Sequence, residues 1–218
     1  TSSIYTLIHA LERKWGVTFP RGGTGALIRA LVALFERLGG TIRLNTPVDE
    51  IVTRNGRVVA VRTKTGEELA TDAVGSNADV VHTYQQLLRN DPRGVNMGRS
   101  MANRQFSMSL FLIYFGTKRR HPQLAHHNVI FGPRYKELLR DIFDTGTLAD
   151  DFSLYLHAPT LSDPSLAPNG CEAFYVLSPV PHMGISDVDW TVEGPRYRDR
   201  IFAYLEERYI PNLRNDLV

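Results

Sequence analysis

Three glycines and a threonine stand together early in the chain, at Gly22-Gly23-Thr24-Gly25, directly before a helical pattern. A glycine cluster that enters a helix leaves backbone N–H groups exposed and lets a phosphate or another backbone approach closely. The dinucleotide fingerprint is not satisfied, because Ile28 stands where glycine or alanine is required. The Lys-Ser/Thr pair of a P-loop is also absent. The residues leave two alternatives open, a tight turn and a secondary approach to a cofactor, and predict no primary phosphate loop.

The seven histidines raise the question of a metal site. His126 and His127 are adjacent, so on a strand they are expected to point to opposite faces and not to share an ion. No H-E-x-x-H motif and no cysteine pair is present, and we expect no metal site. A nucleophile elbow is absent, and Cys171 reads as an incidental thiol. The catalytic residue therefore stays unassigned.

The bulk composition is that of an ordinary globular protein. The 218 residues are 43% hydrophobic and 22% charged, with a net charge of +2, which provides no electrostatic case for binding nucleic acid. A single cysteine excludes an intramolecular disulfide. No apolar run reaches the roughly 18 residues of a membrane-spanning helix. Both ends read as internal positions of a longer chain.

Hydrophobic periodicity predicts the elements that must position these residues. Stripes at spacings of three and four predict helices over 3–15 and from Leu27 to Leu38. A strand is expected at 41–45, and a β-meander with a turn at Asn55-Gly56 runs from Val48 to Val74. We also expect a helix over 78–89 followed by a polar loop through Gly98. Further along, the expected elements are strands at 108–115, 152–157 and 173–177, and helices at 133–143 and 195–209.

The second half is rich in aromatic side chains, which either pack in a core or line a pocket for a long apolar ligand.

Several segments of the sequence resemble those of a known protein family, in register over essentially the whole chain. They are Phe19-Pro20-Arg21-Gly22-Gly23-Thr24-Gly25-Ala26-Leu27, Ser76-Asn77-Ala78-Asp79-Val80-Val81, Phe131-Gly132-Pro133-Arg134-Tyr135 and Asp151-Phe152-Ser153-Leu154-Tyr155-Leu156-His157-Ala158-Pro159. Together they resemble the bacterial lycopene-forming phytoene desaturases, which are FAD flavoproteins of the amine-oxidase kind.

The resemblance implies an α/β plus α+β fold, in which part of an FAD-binding Rossmann-like domain is followed by a mixed-sheet substrate-binding domain. It divides the chain into a helical segment at 1–18, the returning half of the FAD domain at 19–85 and a substrate domain at 86–218. The cofactor contacts that it implies are the Gly22-Gly23 pair beside the flavin, Val48 at the adenine, and Asn77-Ala78 near the cofactor.

The resemblance also implies an FAD-dependent desaturation of phytoene towards lycopene, by hydride transfer to the flavin. The substrate's insolubility points to a peripheral location on the cytoplasmic side of the cell membrane. Because the glycine motifs that hold FAD in such proteins are not found here, we expect the chain alone to bind FAD weakly and to be inactive. The alternatives are another carotenoid-modifying or amine-oxidase-like flavoprotein and a non-catalytic module that binds an apolar ligand.

Overall fold

A computed structural model describes residues 3–102 and 104–218, and the side chains from Thr6 onward except that of residue 103. The chain forms two compact units, one of Thr1–Phe35 with Ser107–Val218 and one of Glu36–Phe106. These units have other boundaries than the predicted divisions after residues 18 and 85, which concern functional domains and stay a prediction. Each unit is described by itself below.

The larger unit contains one four-stranded antiparallel sheet. Its strands are β4 (Ser109–Thr117), β5 (His127–Ile130), β6 (Leu154–His157) and β7 (Glu172–Val180), in the order β4-β7-β6-β5. The predicted strands are confirmed, whereas β5 was not expected. The helices are α1 (Ser3–Trp15), α2 (Gly23–Arg37), α5 (Tyr135–Arg140) with a π-helical turn at Asp141–Thr145, α6 (Trp190–Arg208) and α7 (Leu213–Asp216).

One face of this sheet packs against α6. Because side chains alternate along a strand, Leu154, Leu156, Phe174 and Val176 all point to this face. They meet Ile201 and Leu205 of α6, and the whole cluster is buried. Burial of apolar surface at this face is the main stabilising contribution to the unit. The alternate residues of these strands point to the opposite face of the sheet.

Helix α6 begins five residues earlier than predicted. Asp189 caps it, since its carboxylate accepts a hydrogen bond of 2.9 Å from the amide of Thr191. Pro195 is therefore not the first residue but the sixth, where its missing N–H leaves the carbonyl of Thr191 without the usual helical donor. The overlooked sequence signal for the start of α6 at Trp190 was therefore the capping residue Asp189.

The smaller unit contains the predicted meander. Its strands β1 (Val48–Arg54), β2 (Arg57–Thr63) and β3 (Glu68–Ala70) pair in sequence order, all antiparallel. Asn55 and Gly56 have φ angles of 51° and 72°, which is the left-handed backbone that a two-residue hairpin turn requires. The predicted hairpin is confirmed.

Two expectations for this unit were wrong. Residues 41–45 form no strand, because no described strand lies beside them and Asn45 takes a φ of 53° that ends the extended backbone. The polar loop expected before Gly98 is instead helix α4 (Pro92–Ala102). Asp91 and Pro92 were the overlooked start signal, a capping side chain followed by proline at the first helical position.

The helix expected over 78–89 is shorter and irregular. It consists of α3 (Val80–His82), capped by the carboxylate of Asp79, and a π-helical turn at Thr83–Leu87. Among the described helices, none is both long enough and apolar enough to cross a membrane.

Candidate functional site

The glycine cluster forms a tight turn into α2. Gly22 and Gly23 have φ angles of 82° and 73°, and the amide of Gly23 donates a 2.9 Å hydrogen bond to the carbonyl of Pro20. Gly23 is buried, and a Cβ placed on it would lie 3.3 Å from Cδ2 of Leu166. Both the backbone conformation and the close packing therefore require glycine at this turn.

The amide of Gly22 is already bound to a carboxylate. It donates a 2.6 Å hydrogen bond to Oδ2 of Asp163. Hydrogen bonds from the Ser165 hydroxyl and from the Gly22 amide lower the pKa of Asp163, so this group is ionised at neutral pH. The anion next to the N-terminus of α2 is thus a side chain of the chain itself, and a phosphate at the same place would meet its negative charge.

Val48 lies at the outer edge of the smaller sheet. Lys64 donates its amide to the carbonyl of Pro47, and the amide of Thr63 is bound to the carbonyl of Glu67. Val48 and Thr63 therefore oppose each other as a pair that is not hydrogen-bonded. In such a pair the N–H and C=O of Val48 point away from β2, towards the open edge of β1. Its backbone is available to a planar ligand with polar edges.

Asn77 and Ala78 lie in an exposed turn before α3. The hydroxyl of Ser76 accepts a 3.3 Å hydrogen bond from the amide of Ala78 and lies 2.9 Å from the hydroxyl of Thr83. The turn is thus shaped by local polar contacts. Val48, Asn77 and Ala78 belong to the smaller unit, while Gly22 and Gly23 belong to the larger one.

The second face of the four-stranded sheet carries two rows of side chains that alternate with the core. Residues in register across β4, β7, β6 and β5 form the first row, which is Tyr114, Tyr175, His157 and His127. The second row, in the same strand order, is Leu112, Leu177, Tyr155 and Val129. Tyr114 and Val129 are 75% and 63% exposed. We call this surface the open face.

Ring contacts connect the first row from end to end. Tyr114 and Tyr175 have ring centroids 5.7 Å apart, Tyr175 and His157 4.7 Å, and His157 and His127 5.3 Å. Phe19 adds an edge-on contact with His157 at 6.0 Å. Such stacked and edge-on contacts hold the rings in position relative to one another. The open face is therefore a preformed aromatic and aliphatic surface, whereas the sequence had predicted only that aromatic residues were abundant.

Three histidines meet at one end of the open face, contrary to the expectation that His126 and His127 diverge. His127 is the first residue of β5, while His126 precedes the strand and is not bound by its alternation. The carbonyl of His126 accepts a hydrogen bond from the amide of Ala158, which lies just after β6. The rings of His126 and His127 are 4.3 Å apart, and Nε2 of His126 lies 2.8 Å from Nε2 of His157.

The rings of His126 and His157 are uncharged at neutral pH. Burial, together with the neighbouring His126 and His127, lowers the pKa of His157 to about 4. Burial also lowers the pKa of His126. On the same face, burial and a hydrogen bond with Tyr175 raise the pKa of Tyr155 to about 12. The open face thus presents no charge of its own at these residues.

Comparison with known proteins assigns the chain to a family. The family model for flavin-containing amine oxidoreductases matches residues 1–203. The chain belongs to this family. Its fold class is confirmed, with a Rossmann-type flavin fold implied by the family and an antiparallel sheet in each described unit.

Three curated relatives of the chain are phytoene desaturases. The lycopene-forming phytoene desaturase of Pantoea ananas is 57% identical over all 218 residues, and that of Pseudescherichia vulneris is 59% identical. The neurosporene-forming enzyme of Rhodobacter capsulatus is 44% identical over 97% of the chain. The chain spans 44% of the length of the first two relatives and 41% of the third.

A solved structure shows the same fold. An oxidoreductase from Methanosarcina mazei matches with a TM-score of 0.68 and 17% identity, over 96% of this chain and 44% of that one. At this identity the match supports the fold and carries no information on the reaction.

FAD is the cofactor that the family implies, and the chain fits it in part. The outward N–H and C=O of Val48 suit an adenine edge, while the Gly22 amide is engaged by Asp163 and is not offered to a phosphate. No G-x-G-x-x-G stands in the 218 residues to hold the pyrophosphate. The assignment of Gly22, Gly23, Val48, Asn77 and Ala78 as cofactor contacts stays a prediction.

Proposed function

We propose that the protein is an FAD-dependent phytoene desaturase that converts phytoene towards lycopene, and that this chain supplies the surface on which the polyene lies. The observation that carries the proposal is the open face, two rows of rings and aliphatic side chains whose eight residues include no lysine, arginine, aspartate or glutamate. A long apolar ligand is bound by burial against such a surface rather than by polar contacts. The two lycopene-forming relatives support phytoene as this ligand.

The dimensions of the open face suit a segment of a long chain. Three strand spacings of about 4.8 Å make each row about 14 Å long. The tyrosine and histidine rings of the first row provide flat contacts, and Leu112 and Leu177 of the second row provide aliphatic ones. The polyene would thus be oriented and kept dry by the side chains of β4, β7 and β6.

FAD, when bound, would supply the hydride acceptor, so that desaturation would remove a hydride from an allylic carbon of the substrate and a proton from the neighbouring carbon. The residues of this chain orient the polyene and exclude water from it. An efficient general base has a pKa near the operating pH, and burial holds the pKa of His157 at about 4, too low for that role at neutral pH.

We also propose that the full-length protein acts at the cytoplasmic surface of the cell membrane. The support for this is the insolubility of the substrate, which must be taken from and returned to a lipid phase. Flotation of the full-length protein with anionic and with neutral vesicles tests it. Protein that stays at the bottom of the gradient with both vesicle types would contradict the peripheral location.

The function is tested with the full-length protein in cells that accumulate phytoene. Pigments are extracted and separated, and lycopene is the expected product. Unchanged phytoene would contradict the proposal, and another carotenoid product would indicate a related flavoprotein instead.

The open face is tested with Leu112→Lys, since Leu112 is 38% exposed in the second row. We expect at least a tenfold loss of product with flavin content unchanged. The control is Met183→Lys, at a loop residue that is 78% exposed.

A further inference from the structure

The histidine cluster has the composition of a metal site. One ligand nitrogen from each of His126, His127 and His157 lies within 4.8 Å of the other two. His126 and His157 approach most closely, through their Nε2 atoms. Imidazole nitrogens are the ligands that zinc, copper and nickel share.

The other nitrogens of two of these rings are held by hydroxyl groups. Nδ1 of His126 lies 2.5 Å from Oγ of Ser162, and Nδ1 of His127 lies 2.5 Å from the hydroxyl of Tyr155. When each Nδ1 carries the proton and donates it to its hydroxyl, the lone pairs are on Nε2. Hydrogen bonds of this kind fix the tautomer and the orientation of metal-binding histidines.

We propose that His126, His127 and His157 bind one divalent transition-metal ion, with Zn²⁺ as the representative ion, and that the fourth coordination position faces the open face of the sheet. Three histidines with one open position are a known arrangement for zinc. No carboxylate completes the group among the described residues.

The three ligand nitrogens, which lie within 4.8 Å of one another, have to adjust their spacing to take the ion. Two nitrogens that bind zinc at 2.0–2.1 Å in tetrahedral geometry are about 3.3 Å apart. The Nε2 atoms of His126 and His157 are 2.8 Å apart and have to separate by about half an ångström. His126 precedes β5 and is only partly buried, so its ring is less enclosed than that of His157.

Without an ion, His126 and His157 are joined by one hydrogen bond between their Nε2 atoms. His157 is 9% exposed, so these Nε2 atoms are largely shielded from water. A pair of neutral imidazoles shares one proton between the two Nε2 atoms and gains one hydrogen bond. A metal ion in that place replaces the shared proton with two coordination bonds and adds His127 as a third ligand.

The ion also connects separate parts of the unit. His126 and His127 belong to the entry of β5, and His157 is the last residue of β6. Phe19 packs on both His126 and His157, with ring centroids 4.7 and 6.0 Å away. Metal binding is therefore expected to stabilise the end of the sheet against which the glycine turn is placed.

The proposal is tested by metal binding to the untagged protein after treatment with a chelator. Titration calorimetry with Zn²⁺ is expected to show one equivalent bound, and Co²⁺ is expected to give the visible absorption of a four-coordinate site. His127→Ala and His157→Ala should each weaken Zn²⁺ binding at least tenfold, and Ser162→Ala about tenfold. His9→Ala, at an exposed position of α1, should leave it unchanged.

The side chain of His127 is exposed, so His127→Ala keeps the test valid if His157→Ala fails to fold. Circular dichroism of each variant establishes that it is folded. The proposal is overturned if the folded protein binds no stoichiometric Zn²⁺, or if binding persists unchanged in both His127→Ala and Ser162→Ala. The assay contains neither flavin nor phytoene, so its result is independent of the proposed desaturase activity.

Discussion

The amide nitrogen of Gly22 lies 2.6 Å from Oδ2 of Asp163, a residue 141 positions later in the sequence. This hydrogen bond ties the turn before α2 to the 3₁₀ turn at Pro164–Leu166. It explains why a glycine cluster at a helix N-terminus is not a phosphate loop here, because the position of an anion is filled by a carboxylate of the protein itself.

Replacing Asp163 tests this contact. In Asp163→Ala the amide of Gly22 loses its acceptor, so we expect faster hydrogen exchange at Gly22 and Gly23 and a lower thermal midpoint. Asp163→Asn keeps a neutral acceptor oxygen and should lie between the wild type and the alanine variant. Asp144→Ala, at an exposed aspartate of the same unit, serves as the control. Equal exchange rates in all three variants would show that the contact does not hold the turn.

Gly23 and Gly25 allow a matched comparison within one turn and helix. Gly23→Ala places a Cβ on a residue with a φ of 73° and 3.3 Å from Leu166, and should cost about 1–2 kcal/mol of unfolding free energy. Gly25→Ala lies in helical backbone and meets only the flexible end of Arg29, so it should gain up to about 1 kcal/mol. Urea denaturation measures both. If both substitutions changed the unfolding free energy in the same direction, the left-handed backbone at Gly23 and the helical backbone at Gly25 would not explain their stability.

Asp91 should give the smaller unit part of its acid sensitivity. Its carboxylate accepts hydrogen bonds from Thr53 Oγ1 at 2.8 Å and from the amides of Arg93 and Gly94 at 2.9 and 3.0 Å. The Thr53 hydroxyl, followed by the Gly94 amide, lowers the pKa of Asp91. A depressed carboxylate pKa stabilises the fold above the unfolded pKa of about 4, and this contribution is lost as the pH falls towards the folded pKa.

Asp91→Ala should therefore cost about 1 kcal/mol at pH 7, where the wild-type group is ionised, and less at pH 3. Chemical denaturation at both pH values measures the difference, and Asp72→Ala, at an exposed aspartate of the same unit, is the control. A penalty that is equal at pH 7 and pH 3 would show that the charge of Asp91 does not matter.

His157→Ala should lower desaturation by the full-length protein less than tenfold. The residue is 9% exposed and has a pKa of about 4, so it is neutral at pH 7 and a weak proton acceptor. Pigment formation is measured at matched protein and flavin content. A thousandfold loss would assign His157 an acid–base role.

The local elements were predictable to the extent that their signals lie within a few residues. Asn55-Gly56 determined a hairpin because left-handed backbone at two consecutive positions admits few other residue pairs. The stripes of α1 and α2 predicted helices, and both formed. Residues 41–45 show the limit of this reasoning, because their alternation predicts a strand, whereas a strand forms only when a neighbour offers hydrogen bonds.

The sequence by itself determined the hairpin, the main helices and the family, because these depend on backbone preferences and on phrases that can be read in order. Only the tertiary structure decided that Asp163 binds Gly22, that four strands align a row of rings, and that His126 and His127 converge on His157. Each of these depends on strand register and on contacts between residues 18 to 141 positions apart in the sequence. Such contacts follow from the packing of the whole core and leave no periodic pattern along the chain.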